Sequence, residues 1–151
     1  CIRDSTWPAW ALLATIGAWV AVIDAITTWI PAVLAWTGWV GWIGAVAVTA
    51  LSDQTAATRA VIATTIIFAA WMIAWLISRG GFGFSDVRIT PLWAAPVAAT
   101  GIDTIHATVI AGLTLIALYA LIDRFRHHTT RFLPWAPSLC SGALIGLAIA
   151  H

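Results

Sequence analysis

The sequence contains neither lysine nor glutamate, and only 9% of its 151 residues are charged. A typical soluble domain has about 25% charged residues, so the composition excludes an ordinary soluble protein. All seven cations are arginine, all six anions are aspartate, and the net charge of +1 gives no sign of nucleic-acid binding. The two cysteines, Cys1 and Cys140, form no CxxC pair, which argues against a zinc site or a disulfide framework.

Long apolar segments make up most of the chain, which is 62% hydrophobic with a mean hydropathy of +0.96. A membrane helix needs about 20 mostly apolar residues to cross about 30 Å of hydrocarbon. We therefore predict an all-α integral membrane protein with about six transmembrane helices, forming a single polytopic domain over residues 1–151. The predicted segments are Trp7–Thr28, Pro31–Leu51, Ala60–Ser78, Val87–Thr100, Thr104–Ile122 and Pro134–Ala150.

Two aspartates, Asp24 and Asp86, lie where apolar segments meet turns. An aspartate at the centre of a bilayer helix costs about 2.5 to 3.5 kcal/mol on insertion scales, so acids in such segments usually serve chemistry or pairing. Simpler interpretations also exist, because Asp24 could cap or pair near a helix end and Asp86 could be the N-cap of the fourth segment.

Counting crossings places both aspartates on the same side of the membrane, since an even number of segments separates them. That side also carries most of the arginines, which predicts that it is cytoplasmic and that both termini lie outside. The arginines on the aspartate side are Arg79, Arg88, Arg124, Arg126 and Arg131, against Arg3 and Arg59 on the other.

The spacing around the two aspartates resembles that of the type IV prepilin peptidase family, whose first aspartate precedes the proline of an Ile-Pro pair by seven residues. Asp24 and Pro31 have this spacing. The segment Gly83-Phe84-Ser85-Asp86-Val87-Arg88-Ile89 resembles the family's second motif, in which a Gly-X-Gly-Asp loop precedes Val-Lys-Leu. Leu133-Pro134-Trp135-Ala136-Pro137 resembles its proline-rich start of the last helix.

This resemblance implies a membrane aspartyl peptidase that removes the basic leader of type IV pilin or pseudopilin precursors at the cytoplasmic face of the inner membrane. Asp24 and Asp86 would be catalytic, Gly81 and Gly83 would shape the loop with Ser85, and Arg88 would match the family's lysine. The resemblance implies no metal or other cofactor. The zinc-binding methylase region of larger members is absent from this sequence, so we expect cleavage without N-methylation.

Ser85 stands where the family has glycine, which would strain the loop if that position needs a left-handed backbone. A catalytically inactive homologue that binds or assembles pilins is therefore an alternative, and a small proton-coupled transporter is a third. The pair Gly142 and Gly146 has the Gly-x-x-x-Gly spacing of close helix crossings. It fits either a crossing within the chain or a homodimer contact.

Overall fold

The computed structural model describes residues 6–78, 83–127 and 135–149, and every regular element in these ranges is helical. The first helix contains one π-helical turn, Leu13–Gly17. The helices are α1 (Trp7–Thr27), α2 (Ala32–Ser52), α3 (Gln54–Ser78), α4 (Phe84–Arg88), α5 (Thr90–Thr100), α6 (Ile102–His127) and α7 (Trp135–Ile149).

Four of these helices, α1, α2, α3 and α6, are long and apolar enough to cross a membrane. The predicted all-helical membrane architecture is therefore supported, while the count of six crossings rests on the two shorter segments. α3 begins six residues before the predicted Ala60 because Asp53 Oδ1 accepts the backbone N–H of Ala56 at 2.9 Å. This bond satisfies one of the free donors at the helix start.

The short helix α5 lies in the middle of the bundle, and its side chains from Thr90 to Ala99 are all buried. At one end, the indole of Trp39 donates to the carbonyl of Arg88, the last residue of α4, at 3.0 Å. At the other end, the indole of Trp10 donates to Thr100 Oγ1 at 3.1 Å. α5 therefore runs from the end of the bundle where α2 begins to the end where α1 begins.

The alternation of helices gives the bundle two ends. One contains Asp24 near the end of α1 and Asp86 in α4, and we call it the aspartate end. The opposite end contains the start of α3 and the end of α5, where the Arg59 guanidinium donates to the carbonyl of Ala99 at 3.2 Å. We call this the Arg59 end.

The glycine pair of the last helix lies at the crossing of α7 with α6. A Cβ at Gly142 would come within 2.7 Å of the backbone of Gly112, and one at Gly146 would come equally close to the backbone of Thr108. Glycine is thus required at both positions for the two backbones to approach. The Gly-x-x-x-Gly pair is therefore used within the chain, and this face is not available for a homodimer contact.

Candidate functional site

Asp24 belongs to the last turn of α1, yet its side chain is only 3% exposed. Its Oδ2 accepts the backbone N–H of Ala136, the second residue of α7, at 3.0 Å. The first N–H groups of a helix have no partner within the helix and attract negative charge. Asp24 therefore caps a helix 112 residues away in the sequence, so the capping interpretation of this residue is confirmed.

α1 ends at Thr27, three residues after Asp24, through an unusual backbone conformation. Thr28 has a φ of 52° in the left-handed region, and its N–H donates to the Asp24 carbonyl at 2.8 Å. The hydroxyl of Thr27 also accepts the N–H of Trp29 at 3.2 Å, which fixes the chain as it leaves the helix. These bonds place the Asp24 side chain at the end of the bundle where α7 begins.

Asp86 is the third residue of α4 and is 6% exposed. Its backbone N–H donates to the carbonyl of Gly83, the N-cap residue, at 3.1 Å. Asp86 therefore lies inside α4, and the alternative interpretation of Asp86 as the N-cap of the fourth segment is wrong, because Gly83 and Ile89 are the N-cap residues of α4 and α5. Burial, followed by the charge of Asp24, raises the pKa of the Asp86 carboxyl from 3.8 to about 7.

The structure thus brings Asp24 and Asp86 together at the aspartate end, near enough for the charge of one to act on the other. No ion pair links either carboxyl to a cation within residues 6–78, 83–127 and 135–149. Two such buried carboxyls cannot both ionise cheaply, so one of them retains a proton near neutral pH. One proton acceptor and one proton donor, near enough to influence each other's charge, can perform general acid and base chemistry.

Gly83 adopts an ordinary extended backbone, with φ −72° and ψ 130°, so its glycine is not needed for a left-handed turn. A Cβ at this position would instead come within 2.9 Å of Asp86 Oδ2 and 3.2 Å of Ser85 Oγ. Gly83 was predicted to shape the loop, and in the structure its lack of a side chain leaves room for the Asp86 carboxyl. Gly81 lies outside the described residues.

Ser85 lies within α4, and Thr28 is the one residue other than glycine with a positive φ in the described part of the chain. The predicted strain from a serine in place of glycine is therefore not present. A helical position suits serine better than glycine, which loses more conformational freedom on folding. Ser85 gives no structural reason for an inactive site.

Arg88 does not pair with Asp86, although it is two residues away. Its guanidinium lies over the ring of Phe84, 5.2 Å from the centroid, and its Nε is buried without a hydrogen-bond partner. The side chain borders a cavity of about 360 Å³, within the size range of small ligand pockets. The other lining residues are Ala35, Trp36, Trp39, Phe68 and Phe84.

Two parts of this arrangement were missing from the sequence prediction. The first is the N–H of Ala136, because the proline-rich segment indicated a helix start but not what would lie in front of it. The second is the π-helical turn, which places one extra residue in α1 and so rotates everything after it, including Asp24. Gly17, at the end of that turn, offers its carbonyl to the Cys140 thiol at 3.8 Å.

No protein-family model matches the chain, and neither the curated proteins nor the solved structures gave a match.

Proposed function

We propose that this protein is a membrane aspartyl endopeptidase that removes the basic leader from type IV pilin or pseudopilin precursors. One observation carries the proposal: two aspartates 62 positions apart in the sequence share a buried site that contains no paired cation among the described residues. Two costly buried acids placed together suit a reaction that needs both a base and an acid. The substrate class comes from the motif resemblance.

The contacts of the two carboxyls suggest different roles. Asp24 Oδ2 accepts the backbone N–H of Ala136 at the start of α7, and we assign Asp24 as the base that removes a proton from the attacking water. Asp86 has a raised pKa and donates its proton to the oxygen of the scissile carbonyl. Asp24 then gives the proton it took from water to the leaving amine as the C–N bond breaks, and Asp86 regains its proton from the hydroxyl as the new carboxyl group forms.

The proposed setting is the inner membrane, with six crossings, both termini outside and the aspartate end facing the cytoplasm. The four long apolar helices support a membrane location, and the arginine asymmetry supports this orientation. α5 would form the fourth crossing, shielded from lipid by the surrounding helices, and α7 the sixth. A substrate side chain could enter the aromatic cavity beside Arg88.

The test is leader removal from a co-expressed pilin precursor, followed by its change in electrophoretic mobility and by mass spectrometry. We expect Asp24→Asn and Asp86→Asn to abolish cleavage at unchanged expression. Asp103→Asn is the matched control, because Asp103 is an exposed aspartate in the first turn of α6, at the Arg59 end. Cleavage that persists in both site variants would exclude the proposed peptidase.

An inactive pilin-binding homologue and a proton-coupled transporter remain the alternatives. The inactive homologue was suggested by the strain expected from Ser85 in place of glycine. Because Ser85 has a helical backbone, that strain is not present. The second requires acids at several depths, whereas Asp24 and Asp86 lie together at one end of the bundle. Proton flux in vesicles that depends on Asp86, without peptide cleavage, would favour the transporter.

A further inference from the structure

A groove with a volume of about 650 Å³ lies between α3 and α6 at the Arg59 end, away from the aspartates. We propose that it binds an anionic phospholipid, with the phosphate at Arg59 and an acyl chain along the apolar part of the groove. The residues that carry this proposal are Arg59, Ile62, Ala63, Ile66, Ile102 and Ile105.

The charge of Arg59 is not balanced within the described part of the chain. Its Nη2 donates to the carbonyl of Ala99, while its Nε is buried and has no hydrogen-bond partner. No carboxylate among the described residues forms an ion pair with it. A partly buried cation without a counter-charge is costly, and a phosphate can accept several of its N–H groups at once.

The position of Arg59 along α3 fits the level of lipid headgroups. It is five residues from Gln54, where the helix begins, which corresponds to about 7.5 Å along the helix axis. Arginines near the ends of membrane helices extend their charged groups to this level. The polar side chains of Gln54 and Thr55 line the same end of the groove.

Beyond Arg59 the groove becomes apolar in the direction of the bilayer centre. Ile62, Ala63 and Ile66 follow at three, four and seven positions, so they form one face of α3. Ile102 adds an exposed apolar side chain from α6. A free phosphate would leave this apolar surface unfilled, whereas an acyl chain would cover it. The combination therefore favours a whole phospholipid over a soluble anion.

The experiment uses native mass spectrometry of the full chain in detergent, with phosphatidylglycerol or phosphatidylcholine added at matched concentrations. We expect phosphatidylglycerol to bind about tenfold more tightly than phosphatidylcholine, consistent with about 1.4 kcal/mol for one charge-assisted contact. Arg59→Gln should remove this preference. Arg124→Gln is the matched control, since Arg124 is an exposed arginine near the far end of α6.

A second variant tests the apolar part of the groove while leaving the charge in place. Ala63→Phe should fill the groove and weaken phosphatidylglycerol binding, even though Arg59 is retained. Inorganic phosphate in excess should fail to displace the lipid. Equal binding of both lipids, an unchanged preference in Arg59→Gln, or displacement by inorganic phosphate would each overturn the proposal.

Discussion

The carboxylate of Asp24 accepts the backbone N–H of Ala136 at 3.0 Å, which links the end of the first helix to the start of the last one. This bond gives Asp24 a structural role in addition to its proposed chemical one. An aspartate at the end of its own helix meets the negative pole of that helix, and the start of α7 offsets this with a positive one. The two roles can be separated by substitution.

Asp24→Asn and Asp24→Ala should both abolish cleavage, but only the alanine variant should lose stability. The asparagine side-chain oxygen can still accept the N–H of Ala136, whereas alanine leaves this buried donor without a partner, at a cost of about 1 to 3 kcal/mol. Thermal unfolding in detergent measures the difference. Equal stability of the two variants would show that the bond to Ala136 contributes little.

Gly83→Ala should reduce cleavage strongly while leaving the bundle folded. The added Cβ would approach Asp86 Oδ2 to 2.9 Å, so the carboxyl must shift from its native position. Gly44→Ala is the matched control, because a Cβ at that helical position meets nothing within 4 Å. The control should keep full activity and gain a few tenths to about 1 kcal/mol of stability. Rates of peptide cleavage by the purified proteins test both variants.

Ser85→Gly should not increase activity, although it restores the glycine found in the family motif. Ser85 already has a helical backbone, and glycine there would cost about 0.5 to 1 kcal/mol. The measurement compares processing by the native chain with processing by the variant in the same cells. A native chain that cleaves nothing, together with an active glycine variant, would support the inactive-homologue alternative.

The rate of cleavage should fall as pH rises through about 7, because Asp86 must hold a proton to act as the acid. The same group affects stability. The pKa of the Asp86 carboxyl is higher in the folded protein than the usual 3.8. The contribution of Asp86 to the stability of the folded state is therefore fully present below pH 3.8. This contribution is lost as pH rises through about 7.

Asp86→Asn should remove this pH dependence of stability, since the amide does not titrate. Unfolding measurements on the native chain and the variant from acidic to alkaline pH test the expectation. The native chain should become less stable relative to Asp86→Asn as pH increases. A constant difference between the two would contradict the proposed protonation of Asp86.

The sequence by itself predicted the helical architecture with helices long and apolar enough to cross a membrane, because an apolar run of about 20 residues can satisfy its own backbone hydrogen bonds as a helix. It also located Asp24 and Asp86, since isolated acids stand out in apolar surroundings. Helix boundaries were less certain, as the early start of α3 shows. That start depends on the bond from Ala56 to Asp53, a local detail that hydropathy does not detect.

The tertiary structure decided what each of these residues contacts. It placed the N–H of Ala136 against Asp24 and directed the Gly142 and Gly146 pair toward α6, because contacts between distant segments depend on how the helices pack. It also gave Ser85 a helical backbone, which the motif alone could not predict. Sequence spacing determines which residues are close along the chain. The packing of the helices determines that the carboxyls of Asp24 and Asp86, which are distant in the sequence, lie near enough to interact.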